Sequence, residues 1–156
     1  MRPSSNSGCS DRSLILRHGS AAELVFVDTG VWIALALTRD PLHARARQGW
    51  EQLLGVGARL HTSVPVVLET FTFLDRNATR EVALAWKDAL TAVPRLKVLP
   101  CTAKDLERAW PYFERTDLHK LSAVDAISFV LMAERRIRVA FAFDAHFATA
   151  GFRVVG

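Results

Sequence analysis

A chain of 156 residues, 50% hydrophobic with nine Phe and four Trp, suits one domain around a single core. It has no 18-residue apolar run, so no membrane span is expected. Its two cysteines, Cys9 and Cys101, make no disulfide framework and fit a reducing cytoplasm. The formal charge of +4 leaves the partner open, because residues 1–20 supply half of it. Sixteen Arg to four Lys suits phosphate contacts, but also a GC-rich genome.

Residues 1–22 are expected to form a flexible extension outside the fold. Residues 1–10 are rich in Ser, Pro, Gly and Asn, and the apolar piece at 14–16 is too short for a signal peptide. From Glu23 onward the pattern alternates between strand and helix. Residues 24–28 read as a buried strand and 30–37 as a short helix, apolar nearly all round. Asp40 is expected to cap a second helix reaching Leu54, with Pro41 in its first turn and Gly55 and Gly57 ending it. Residues 59–62 form a second strand. Ser63 and Pro65 then start the helix that carries Glu69.

Asn77 is expected to cap a helix running to Val93, which Pro94 stops, before a third strand at 96–99. Thr102 and Asp105 make a capping box for a helix with Leu106, Ala109 and Trp110 inward, ended or kinked by Pro111. A loop at 117–121 leads to a helix over 122–135, a fourth strand at 139–143 and an edge strand at 152–155. The expected fold is α/β, a three-layer α/β/α domain over 23–156 with a mostly parallel sheet of four to five strands. Ligands in such sheets bind outside the carboxyl ends of the strands.

Four acids belong at that edge. Asp28 and Asp144 directly follow apolar strands, Glu69 interrupts the apolar stretch 64–74, and Asp125 opens an apolar helix. Each has an innocent reading: Asp28 and Asp144 as helix caps, Ser122-Ala-Val-Asp125 as a capping box, Glu69 as the partner of an Arg. Jointly they need a cation, since two carboxylates ~5 Å apart repel by roughly 3 kcal/mol at an effective dielectric near 20. Oxygen donors favour Mg²⁺ or Mn²⁺ over Zn²⁺. Such ions polarise a phosphoryl oxygen and activate water for in-line attack. His146, two residues past Asp144, can assist proton transfer or be an ordinary surface residue. No dinucleotide, Walker or serine-hydrolase motif is present.

Val27-Asp28-Thr29, Leu68-Glu69-Thr70, Asp117-Leu-His-Lys-Leu-Ser-Ala-Val-Asp125-Ala and Phe143-Asp144-Ala-His-Phe147 together resemble the PIN-domain nucleases. The likeness is strongest to the VapC-type toxins of toxin–antitoxin pairs. The acids occur in order at separations of 41, 56 and 19 residues. The resemblance implies a Mg²⁺- or Mn²⁺-dependent endoribonuclease in which Asp28, Glu69, Asp125 and Asp144 are catalytic and hold metal. Asp117 matches an accessory acid, with Thr29, Ser122 and His146 in support. It further implies an RNA substrate, a homodimer and a small antitoxin partner, for which Trp32, Trp50 and Trp86 would offer an apolar surface unless they are ordinary core. Gly30, Val124 and Ala142 depart from the family by lacking hydroxyls that would support the carboxylates. Two alternatives remain: a phosphotransfer domain, disfavoured by Gly30 where a phosphatase wants a second Asp, and a non-catalytic binding module on the same fold.

Overall fold

The computed structural model describes residues 21–156, so the extension expected over 1–22 lies outside the described residues apart from its last two. Five strands, β1 (Leu24–Val27), β2 (Arg59–Ser63), β3 (Lys97–Leu99), β4 (Val139–Phe141) and β5 (Arg153–Val155), form one sheet in the order β3-β2-β1-β4-β5. Every pairing is parallel. Seven helices flank it: α1 (Thr29–Ala36), α2 (His43–Gly55), α3 (Val64–Asn77), α4 (Arg80–Thr91), α5 (Ala103–Phe113), α6 (Ala123–Glu134) and α7 (His146–Thr149).

The sheet is apolar where helices cover both faces. Val25, Phe26 and Val27 of β1 and Phe141 of β4 are fully buried, as parallel strands between two helical layers require. Right-handed crossovers place α1–α4 on one face and α5–α7 on the other. The chain moves outward from β1 through β2 and β3, then returns to start β4 on the other side of β1. The strand order therefore reverses between β1 and β4, and a crevice opens at their carboxyl ends. The Asp28 backbone N–H donates to the Phe141 carbonyl at 3.0 Å and ties those two ends together.

Several expectations are corrected. Asp40 does not cap α2; its Oδ1 accepts from the Leu42 backbone at 2.8 Å in a turn, and the helix starts at His43 without a side-chain cap. Asn77 is the last residue of α3 and donates to the Phe73 carbonyl, while Thr79 caps α4 by accepting from Val82 N–H. Pro111 lies inside α5, which continues to Phe113. Ala109 is inward as expected, but Leu106 and Trp110 are exposed, Trp110 by 52%. Strand β4 stops at Phe141, two residues early.

Candidate active site

Each acid is placed by local structure. Asp28 follows β1 with extended backbone (φ −84°, ψ 161°) and caps α1, its Oδ2 accepting from Gly30 N–H at 3.4 Å. Asp125 lies in the first turn of α6, where Ser122 Oγ accepts its backbone N–H at 3.0 Å. Asp28 and Ser122 thus cap α1 and α6 as expected and aim the Asp28 and Asp125 carboxylates at the crevice, but Asp125 does not return the bond of a full capping box, and Asp144 does not cap α7, whose N-cap is Ala145. Asp144 follows β4, and its Oδ1 accepts from His146 N–H at 2.8 Å. Glu69 sits on α3, whose buried stripe is Val66, Thr70 and Leu74. Leu68 beside it is 62% exposed. The apolar stretch around Glu69 is therefore buried on one side only, and Glu69 itself is half-buried.

The four acids form one electrostatic set. Burial pushes the Asp28 carboxyl up to about 7, helped by the charge of Asp125 and, more weakly, of Glu69, while the backbone N–H groups of Thr29 and Gly30 oppose it. Asp125 is pushed up to about 6, first by burial; the Ser122 hydroxyl opposes this, and the charges of Asp144 and Glu69 add to it. Both residues are buried. Asp28 Oδ1 is buried with no hydrogen-bond partner. A carboxylate costs free energy to bury without a donor or a cation.

Asp125, Asp144 and His146 each offer a ligand atom within 4.8 Å of the others, a spacing that could hold one metal ion; of the four acids expected to hold it, Asp28 and Glu69 are not part of this group. The His146 ring is braced from behind, with Nε2 2.8 Å from the His119 carbonyl. Nε2 therefore carries a proton. Nδ1 lies 2.9 Å from Asp144 Oδ1 at ion-pair distance, but without the alignment of a hydrogen bond. Burial lowers the His146 pKa, yet the His119 carbonyl and the Asp144 and Asp125 carboxylates outweigh it and hold the ring above its ordinary value. Thr29 Oγ1 donates to Glu69 Oε2 at 2.5 Å.

Asp117 stands apart. It is exposed and paired with Arg115, which donates to its two oxygens at 3.0 and 2.7 Å, so its pKa falls below the usual carboxylate range. Two contributors had no signal in the sequence. The His119 carbonyl acts through the backbone, which any residue supplies. Arg115 reaches both Asp117 and the Thr149 carbonyl only once the fold is formed. The arrangement can hold a hard divalent cation: it has an orphaned buried carboxylate oxygen, a donor set dominated by carboxylates and two acids that keep protons near neutrality in its absence.

Residues 25–153 match the PIN domain family. The chain is 36% identical over 129 residues to the 23S rRNA-specific endonuclease VapC20 of Mycobacterium tuberculosis, covering 83% of this chain and 95% of that protein. It superposes on the crystal structure of that Sarcin-Ricin loop cleaving toxin with a TM-score of 0.72 at 35% identity, over 82% of this chain and 95% of the other. It also superposes on VapBC2 from Rickettsia felis bound to a promoter DNA fragment, with a TM-score of 0.61 at 11% identity over 85% and 97% of the two chains. For DNA-bound VapBC from Salmonella typhimurium the TM-score is 0.58 at 16% identity over 86% and 98%. These last two are likenesses of fold.

Proposed function

This chain belongs to the PIN-domain family, and on that premise we propose that it is a Mg²⁺- or Mn²⁺-dependent endoribonuclease, the toxin of a toxin–antitoxin pair. The observation that carries this reading is the buried, partnerless Oδ1 of Asp28 within an interacting set of four acids. Asp28, Glu69, Asp125 and Asp144 would hold the cation, with His146 at its edge. A bound ion of this kind supplies Lewis acidity toward a phosphoryl oxygen and makes water a stronger acid.

The side chains do the rest. To hold a cation, Asp28 and Asp125 would have to be deprotonated, so the site would load better as pH rises through 6 to 7. Thr29 fixes the carboxylate plane of Glu69. His146, locked by the His119 carbonyl, presents Nδ1 beside Asp144 and can hold or release a proton at that atom as the leaving oxygen departs. Ser122 holds the first turn of α6 and thereby Asp125. Asp117, locked to Arg115, contributes by ordering the loop ahead of Ser122.

The substrate is RNA, and ribosomal RNA is the class suggested by the VapC20 name. An antitoxin would occupy the groove of about 600 Å³ between α1, α2 and α4, lined by Trp32, Leu35, Trp50, Trp86, Leu90 and Val93. Trp32 packs edge-on against Trp50 and Trp86 at 5.3 and 6.2 Å. The exposed Leu106, Trp110 and Phe113 of α5 favour a homodimer. No helix among the described residues is long and apolar enough to cross a membrane, and a cytoplasmic site of action fits an RNA substrate.

The test is incubation of structured RNAs with the protein in Mg²⁺ or Mn²⁺, beside Asp28→Asn and Asp144→Asn. Cleavage by the parent chain alone supports the reading. Cleavage that survives both substitutions removes it.

A further inference from the structure

The edge of the sheet opposite the acids is as strongly basic as the acid edge is acidic. Lys97 opens β3, Arg59 opens β2, Arg153 opens β5, and Arg138 directly precedes β4. Arg95 and Arg136 lie in the turns that feed β3 and β4. The register pairs Leu24 with Arg59, His61 with Lys97, and Val139 with Arg153, so these cations form a staggered line along the amino-terminal edge, offset by up to two residues (~7 Å), with Arg59 and Lys97 on one face and Arg153 on the other. Four inter-strand gaps of ~4.8 Å make that line roughly 19 Å long.

Two clusters make up the line. Arg59, Lys97 and Arg135 surround His61, whose pKa is lowered by burial and then by these three charges, against the Arg59 carbonyl. Arg136, Arg138 and Arg153 line a cleft of about 680 Å³ with Phe152 and Glu23. Among the described residues, Arg59, Arg95, Lys97, Arg136 and Arg138 have no acidic partner within 4 Å. Among the described residues these seven cations face three carboxylates, Glu23, Asp105 and Glu134, a surplus of +4 in a body whose net charge is +2. Arg95 and Arg136 moreover hold left-handed backbone, with φ of 59° and 55°, Arg136 directly past the α6 C-cap where Gly or Asn is ordinarily found.

We propose that this strip is a second nucleic-acid contact that grips the phosphate backbone of a folded RNA at the amino-terminal edge of the sheet, a reading that rests on the ribonuclease assignment above. A lone phosphate needs two or three donors in one nest. A line of separated cations, mostly Arg with its forked donors, fits a polyanion instead. Strand β1 is only four residues long, so the two edges are ~13 Å apart by strand rise. A structured RNA can reach both.

The experiment measures binding of a fluorescent stem-loop RNA of about 30 nucleotides to the full chain in an Asp28→Asn background, which separates binding from cleavage. Arg136→Gln with Arg138→Gln, and Arg59→Gln with Lys97→Gln, are each expected to weaken binding about tenfold and to flatten the log–log salt slope by ~1–2. Unchanged affinity with a lowered melting temperature would overturn the proposal, because the cations would then serve only the nearby helix ends. Unchanged RNA affinity with loss of a protein partner would overturn it as well. An equal loss on neutralising Arg39 and Lys87 would do the same by making net charge the cause. RNA held through the strip by a parent chain that cleaves nothing would support the strip and sink the nuclease assignment alone.

Discussion

Thr29 Oγ1 donates to Glu69 Oε2 over 2.5 Å, joining the first turn of α1 to the second turn of α3 across 40 residues of chain. Thr29 is buried and Glu69 half-buried, so water does not easily replace the bond. Thr29→Val keeps the shape and removes the donor. Metal affinity and cleavage rate are expected to fall ~10–100-fold, while Thr29→Ser restores most of both. A Thr29→Val enzyme with parental rates would show that Glu69 needs no such support.

The metal-free protein should be less stable in mild alkali than in mild acid. Folding raises the Asp28 and Asp125 carboxyls, to about 7 and about 6, so between pH 4 and 7 the folded state binds more protons than the unfolded one. Unfolding free energy therefore falls as pH rises through that window. The benefit is fully present below the unfolded value near 4 and gone above 7. A loss of ~2–4 kcal/mol is expected between pH 4.5 and 8 from these groups, read by urea melts with chelator. Saturating Mn²⁺ should remove or reverse the trend.

Asp28→Asn separates stability from function. The amide needs no counter-charge, so the metal-free variant is expected to gain ~1–2 kcal/mol at pH 8 relative to the parent while losing cleavage. Thermal melts and RNA cleavage on the same preparation check both halves.

Gly30 leaves room that a hydroxyl can use. A Cβ built there would meet Asp28 Oδ2 at 3.7 Å, ordinary contact distance. Gly30→Ser is expected to donate to the Asp28 carboxylate, lower its pKa and shift the acid limb of the pH–rate profile down by ~0.5–1 unit. Removing a helical glycine adds ~0.5 kcal/mol of stability. A profile that does not move would mean the new hydroxyl points elsewhere.

The Trp groove and the acids lie on different elements and should be separable. Ala89→Glu puts a carboxylate on the groove wall beside Trp86 and Leu90. Affinity for the antitoxin is expected to drop at least tenfold with cleavage unchanged, as read by co-purification and by RNA cleavage with and without the partner. Trp32, by contrast, is buried core, and its truncation should cost ~3–5 kcal/mol of stability.

Strands β1 and β4 were readable in the sequence as short apolar runs, and β2, β3 and β5 as short segments between a helix stop and the next turn or cap; all five stand where expected within two residues. The acid edge was readable for the same reason: Asp28 and Asp144 follow strands, and parallel strands bring their ends to one side. Helix starts were harder to read. Asp40 and Asn77 are good caps by type, but tertiary packing set α2 and α4 two or three residues later. Leu106 and Trp110 looked like core because they are large and apolar, while the narrow buried face of α5 holds Ala109 and Asp105. The roles of His119 and Arg115 depend on a carbonyl and on a long-range reach, and neither leaves a trace in residue type.

The most direct measurement is anomalous diffraction from crystals grown with Mn²⁺. The account predicts a peak at the carboxyl edge, between Asp28, Asp125 and Asp144 and ~2.0–2.3 Å from at least two carboxylate oxygens among them. A peak absent from that crevice at saturating Mn²⁺, or an ion held elsewhere while RNA is still cleaved, would contradict it.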